Sequence, residues 1–402
     1  MNHSNNRKFE AINNVFLNAI ATAIPLLVLQ ILILPKVNSR IGTDEYGLVV
    51  TLISLLNLIP ECFGNTLNNV RLLVDLKYKD ACVEGDFNVL ALILSIISSI
   101  AVALIAAGYT SFQHGIDVTT MACGAVLVFI YQYYSVGFRL KLDYKKILIA
   151  NLLLALGFSF GYCMFLKNGV WQSIYIVGYA LSSLFTVLQS GLVCERWHFT
   201  QQSKATIVKY LILLSASLMS VAVVYVDRLV LFPLLGGTVV AIYYASTLLG
   251  KFISAGMSPV VSVMLSYFSK MRGLDKSMIK QLTFAGLVVG VIGYLVCILV
   301  GRPLLGWLYP NIAAKSIRYV YITTLTSIIG MQCSIMIPVV LRFCNTKWQL
   351  VIEFCNLTLH FSLSLILLKS FGLMGFCVGS LVAMLLKYFI LLLIYSKSCK
   401  CV

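Results

Sequence analysis

Few side chains in this 402-residue chain can do chemistry, and most of those that can sit inside apolar runs. The four histidines, His3, His114, His198 and His360, form no metal-like cluster with cysteine, and no HExxH, nucleophile elbow or paired-carboxylate cleft occurs. The 12 cysteines are scattered without a CxxC, and read as free thiols serving as small apolar side chains. No cofactor or metal is expected. What remains is a handful of ionisable groups at membrane depth: Glu61, Lys251, Asp227 with Arg228, Lys387 and Glu353. A charge there is costly, so it marks either a site or a buried pair.

These groups are carried by twelve apolar stretches of membrane-spanning length: 12–36, 47–69, 88–112, 116–137, 147–166, 170–193, 207–234, 238–268, 282–301, 317–341, 348–368 and 373–395. The expected fold class is all-α, a polytopic membrane protein of twelve transmembrane helices in two pseudo-symmetric six-helix lobes. The chain is 60% hydrophobic and 11% charged, against about 25% charged in a soluble chain. Its net charge of +16 is a topology signal. With the N-terminus inside, 20 of the 30 Lys and Arg residues fall on the cytoplasmic side and 7 on the other. That asymmetry puts both termini in the cytoplasm, and the distribution argues against nucleic acid as a partner. The first apolar stretch is too long for a signal-peptide core and reads as a retained span. No connection is long enough to fold as an ectodomain, so the helix bundle itself must carry out the function, and an enzyme is not expected.

The lobes divide near residue 200, as 1–200 and 201–402. The run Gly42 to Leu48 after span one is echoed by Gly236 to Ile242 after span seven, at an offset of 194. An even number of spans per half implies a parallel repeat about the membrane normal. Glu61 lies 14 residues into span two and Lys251 13 residues into span eight, both counted from the outer side. At about 1.5 Å per residue both are roughly 20 Å deep. The offset maps Glu61 one helical turn from Lys251. The pair is either a packing ion pair or a cavity site in which Glu61 holds Lys251 until substrate arrives. Arg228 either lines a cleft or anchors span seven at the interface. Lys387 reads as snorkelling toward the cytoplasm and Glu353 as a solvated end charge. On span one, Asn14, Asn18 and Thr22 share a face; they are polar glue between helices or the lining of a hydrated cavity. Pro25, Pro60, Pro259 and Pro338 lie inside spans and mark packing kinks or points of bending.

The stretch Leu34-Pro35-Lys36 through Arg40-Ile41-Gly42-Thr43-Asp44-Glu45-Tyr46-Gly47 resembles the first outer loop of bacterial polysaccharide flippases. Asp227-Arg228, Leu235-Gly236-Gly237 and Ile242-Tyr243-Tyr244-Ala245 are similar to that family's seventh-span pattern. The best match within the multidrug/oligosaccharidyl-lipid/polysaccharide exporter superfamily is the O-antigen (Wzx-type) flippases. The resemblance implies a two-lobed bundle with a cleft formed by spans one, two, seven and eight. It implies transfer of an undecaprenyl-pyrophosphate-linked oligosaccharide across the bacterial inner membrane, with membrane lipids and glycan polymerase machinery as partners. It implies basic cavity side chains that receive the pyrophosphate, a role that Lys251 and Arg228 fit here; with Glu61, Asn18 and Thr22 from the reading of the spans they make up the candidate substrate-binding residues. Span one carries no Lys or Arg before Lys36, so a first-lobe cation would have to come from Arg71 or Arg139. A cation-coupled drug or metabolite exporter of the same fold, resting on Glu61 or Asp227, and a membrane glycan polymerase are the alternatives.

Overall fold

A computed structural model describes residues 17–80, 85–110, 115–268, 276–343 and 347–398. Asn14 lies outside them. No strand occurs among the described residues. The helices are α1 (Leu17–Ile41), α2 (Thr43–Leu58), α3 (Pro60–Asp80), α4 (Asp86–Tyr109), α5 (Gly115–Tyr134), α6 (Val136–Leu140), α7 (Tyr144–Asn168), α8 (Gln172–Ser190), α9 (Ser203–Leu235), α10 (Gly237–Phe268), α11 (Lys276–Leu308), α12 (Ala313–Phe343) and α13 (Lys347–Ser398). Ten stretches among the described residues are long and apolar enough to cross a membrane. One of them, Leu350–Tyr395, covers two expected spans that fold back at Gly372 (φ 59°). The eighth expected span coincides with α10.

The helices run further than hydropathy alone indicates. The expected outer connection Val37–Tyr46 shrinks to one non-helical residue, Gly42, at φ 90°. Gly236, its echo, is likewise the single non-helical residue between α9 and α10, at φ 82°. Only glycine takes that conformation without Cβ strain, so the two turns the repeat singles out share one backbone device. Span two breaks at Pro60, whose ring cannot continue the hydrogen-bond ladder: α2 stops at Leu58 and α3 restarts at Pro60. In α1 the segment Val28–Ile33 widens into a π-helix three residues after Pro25.

The chain divides into two compact units at Leu234/Leu235. In the first, α7 and α8 approach through glycines. A Cβ on Gly157 would meet the Gly178 backbone at 2.6 Å, and one on Gly161 would meet Ser173 O at 2.5 Å. Small residues allow this contact where water supplies no driving force. Leu67, Val70, Phe87, Phe129, Tyr133 and Tyr210 form the interior of the unit. The second unit packs on Cys333, Met336, Val339, Ile352 and Leu391; a Cβ on Gly379 would meet Ser364 Cα at 2.6 Å, which fixes the return of α13 on itself. Burial is inverted relative to a soluble protein: α4 buries Asp86, Asn88, Ser95 and Ser98 and exposes Ile93, Ile96, Ile97, Ile100 and Leu104. That is the pattern of a multi-pass protein whose solvent is lipid.

Candidate functional site

Glu61 stands in the first turn of α3, directly after the Pro60 break, where the freed N–H groups and helix dipole favour a carboxylate. Among the described residues of the first unit, no Lys or Arg pairs with it. Its surroundings are aromatic, with Tyr131 and Tyr179 close by. The two rings meet edge to face at 5.7 Å, and Tyr179 stacks on Tyr175 at 5.9 Å. The Tyr131 hydroxyl donates to Asn151 Oδ1 at 3.0 Å, and Asn151 Nδ2 donates to Ile147 O, so the cluster has a fixed polar end. Gly64, one turn beyond Glu61, lets α3 approach α5, since a Cβ there would meet Phe129 O at 2.9 Å. None of these tyrosines is a candidate in the sequence; the run Tyr131-Gln132-Tyr133-Tyr134, polar tips inside an apolar span, is the signal that could have found them.

Arg228 is 3% exposed and donates from Nη1 to Ser54 Oγ at 2.8 Å. Ser54 in turn donates to Val50 O, and the guanidinium also lies over the Tyr225 ring at 5.9 Å. Asp227 is buried beside it. On α1, Asn18 and Thr22 are exposed, and the Thr22 hydroxyl is spent on the carbonyls of Asn18 and Ala19. Gln30, inside the π-helical segment, keeps a buried Oε1 without a hydrogen-bond partner, a feature that spacing alone does not single out.

Arg71 and Arg139, the two cations the sequence offers for a first-lobe site, are both committed. Arg71 pairs with Glu195 at 2.5 Å and stacks on Phe87 at 4.5 Å; Arg139 donates to Asn68 and Asn69. Nearby, the fully buried Asp86 accepts from the Tyr78 hydroxyl at 2.6 Å and from Thr200 N at 2.6 Å. Burial, then the bond to Asp86, pushes the Tyr78 hydroxyl up to about 12, so it remains a neutral donor.

In the second unit Lys251, half-buried on α10, sits over the Tyr244 ring at 4.3 Å from its centroid. Two turns of helix leave Lys and Tyr on one face, where the ring's quadrupole attracts the ammonium. Lys387 and Glu353 correct the sequence reading. They are 8% and 5% exposed and bonded to each other, Lys387 Nζ reaching the two carboxylate oxygens at 3.0 and 3.1 Å. The fold-back at Gly372 brings them together, so neither snorkels nor faces solvent. No group of His, Cys, Asp and Glu capable of holding a metal occurs among the described residues.

Neither a family model nor a curated protein matches the sequence. Solved structures do match the fold. The lipid II flippase MurJ in an inward closed conformation aligns with TM-score 0.72 and 14% identity over 97% of this chain and 87% of its own. An inward-facing multidrug resistance MATE transporter of the MOP superfamily aligns with TM-score 0.65 and 14% identity, over 94% and 98%. The Vibrio cholerae MATE transporter VcmN in its bent form aligns with TM-score 0.58 and 13% identity, over 99% and 98%. The chain thus has the all-helical membrane fold shared by these proteins. All three are transporters or flippases, none an enzyme.

Proposed function

We propose that this protein is a flippase that moves an undecaprenyl-pyrophosphate-linked oligosaccharide, an O-antigen-type repeat unit, from the cytoplasmic to the periplasmic leaflet of a bacterial inner membrane by alternating access. The observation that carries the reading is the likeness to a lipid II flippase over 97% of the chain, joined to the polysaccharide-flippase resemblance of the Gly42 and Gly236 regions. The chemistry is consistent with it. A pyrophosphate cannot cross hydrocarbon unaided, and a fixed cation offsets part of its dehydration while the lipid tail stays in the bilayer. Lys251 has that role in this reading, as the half-buried cation well inside span eight. Arg228 contributes charge from a fixed position, Glu61 is the acidic partner of the empty state, and Asn18 and Thr22 meet polar parts of the glycan. The lobes 1–200 and 201–402 are the two halves of the repeat, both termini are cytoplasmic, and a glycan polymerase receives the product.

The test is restoration of surface glycan in strains that each lack their own lipid-linked oligosaccharide flippase. Restoration in at least one, lost on Lys251→Ala, supports the reading. Export of cationic drugs by the same membranes, with no glycan restored in any strain, would favour a cation-coupled drug or metabolite exporter, the reading to which the MATE likenesses point. Reporter fusions at Asn168 and Gly372 are expected outside and at Lys145 and Lys204 inside; reversal at two of them would overturn the topology.

A further inference from the structure

We infer that α9, the seventh span, is a permanent member of the first unit, and that the first joint to move in any rearrangement is the Gly236 turn behind it. A chain of six plus six spans would be expected to flex at the segment between α8 and α9. That segment is instead pinned. Asn88 Nδ2 donates to Leu192 O and Glu195 O, Arg71 pairs with Glu195, and Asp86 accepts from both the backbone N–H and the hydroxyl of Thr200. The fastening then continues along α9 at three depths. At its start the Thr206 hydroxyl shares a hydrogen bond of 2.8 Å with Tyr78. One turn on, Tyr210 is 3% exposed, donates to Phe63 O and joins Leu67, Phe129 and Tyr133 in the unit's interior. Near its end Arg228 reaches Ser54, the Tyr109 hydroxyl donates to Leu229 O at 2.5 Å, and the Tyr109 and Phe232 rings meet at 5.7 Å.

Every one of these partners lies on α2, α3, α4 or α5. Most of the groups are buried, so peeling away α9 and the segment that leads into it would take Thr200 from Asp86 and part Arg228 from Ser54, a loss of buried hydrogen bonds that costs free energy. The last of these ties is at Phe232. Pro233 follows, and Gly236 then stands alone between two long helices at φ 82° with no atom within 4 Å of a Cβ built on it. A helix tied along its length moves with what holds it, and a bare glycine turn is where the chain can absorb a change of direction. The repeat in the sequence and the mechanical division of the chain therefore differ by one span.

The experiment is pulsed electron–electron distance measurement on the full chain in nanodiscs. Labels are introduced through a ketone-bearing noncanonical residue, which spares the 12 native cysteines. One pair is at Leu104 on α4 and Val224 on α9, both lipid-facing; the other is at Val224 and Leu299 on α11. Distances are recorded from pH 5 to pH 8, with and without undecaprenyl pyrophosphate. The expected result is a single, unchanged distribution for 104–224, constant within about 2 Å, and a shifted or split distribution for 224–299. A 104–224 distribution that shifts or splits overturns the membership of α9. Two unchanged distributions overturn the joint at Gly236. Neither outcome depends on which substrate the protein carries.

Discussion

Two carboxylates sit inside the membrane-spanning part of this molecule under opposite regimes. Glu353 in the second unit has both oxygens on Lys387, and the pair is closed off from its surroundings. Glu61 in the first unit is half-buried at a helix break among tyrosine rings, with no basic partner among the described residues of its unit. The difference separates two uses of a costly charge. A fully paired carboxylate on two antiparallel spans of one helix hairpin is a fastener. A carboxylate in the first turn after a proline break, with no basic partner among the described residues of its unit, is left to something that comes and goes.

The comparison is broken most severely at the fastener. Lys387→Met strands Glu353 in an apolar interior and is expected to destabilise the protein by about 3–5 kcal/mol. Thermal unfolding followed by fluorescence-detected chromatography reads the loss. Adding Glu353→Leu to Lys387→Met removes the stranded charge and is expected to recover most of it, because replacing both members of a buried pair by apolar groups is often near neutral. A double variant no more stable than the single one would show that the pair does more than hold the hairpin.

The opposite signature is expected in the pair of groups proposed to meet substrate. Lys251→Ala abolishes surface glycan with a smaller loss of thermal stability than Lys387→Met; Lys251→Arg retains part of the activity because phosphate binding needs the charge. Glu61→Gln changes stability little, since no fastener is lost, and lowers export less than Lys251→Ala because it leaves the cation in place. Glycan is normalised to inserted protein. Full export by well-expressed Lys251→Ala would remove that side chain from the mechanism.

What could be read ahead of the structure follows from which interactions are local. Apolar runs specify spans, because a bilayer demands about 20 such residues wherever they occur, and Gly42 and Gly236 announce turns by residue type. The Lys387–Glu353 bond was not legible: the two residues are 34 apart, and only the reversal at Gly372 makes them neighbours. Arg228 shows the same limit in another form. Its place on span seven is plain from hydropathy, whereas its bond to Ser54, 174 residues away, belongs to the packing of α9 on α2. The tyrosines beside Glu61 converge from α5 and α8, and no spacing rule links Tyr131 to Tyr179.

A middle-sized effect sharpens the contrast at the aqueous edge of the first unit. Asp86→Ala removes the acceptor of Tyr78 and of two Thr200 donors, and is expected to cost about 1–3 kcal/mol. Tyr78→Phe tests the same clasp through pH. Because the folded-state hydroxyl titrates near 12 and an unfolded one near 10, the folded protein resists a deprotonation that the unfolded chain accepts. Stability from this group is complete below about pH 10 and falls as pH rises through 12. The phenylalanine variant should lose that alkaline component and keep the same pH profile below it. An unchanged alkaline slope would assign the loss to other tyrosines.

The smallest effect belongs to charges that neither fasten nor meet substrate. Lys141 donates to Ser190 O at 3.1 Å, Lys146 lies 3.9 Å from Asp143, and Lys145 is exposed. A partly solvated pair of this kind contributes little to stability, and its field is screened within about 8 Å at physiological salt. Their use is to enrich an anionic lipid near the membrane surface, an effect on rate that salt should erode. Replacing all three by glutamine is therefore expected to lower surface glycan by no more than a few fold, with unfolding temperature nearly unchanged, and the deficit should shrink when the lipid-linked substrate is overproduced. Complete loss of export by the inserted triple variant would mean that these lysines form a defined site, and the distinction between a charge held for binding and a charge merely placed at a surface would have to be redrawn around α7.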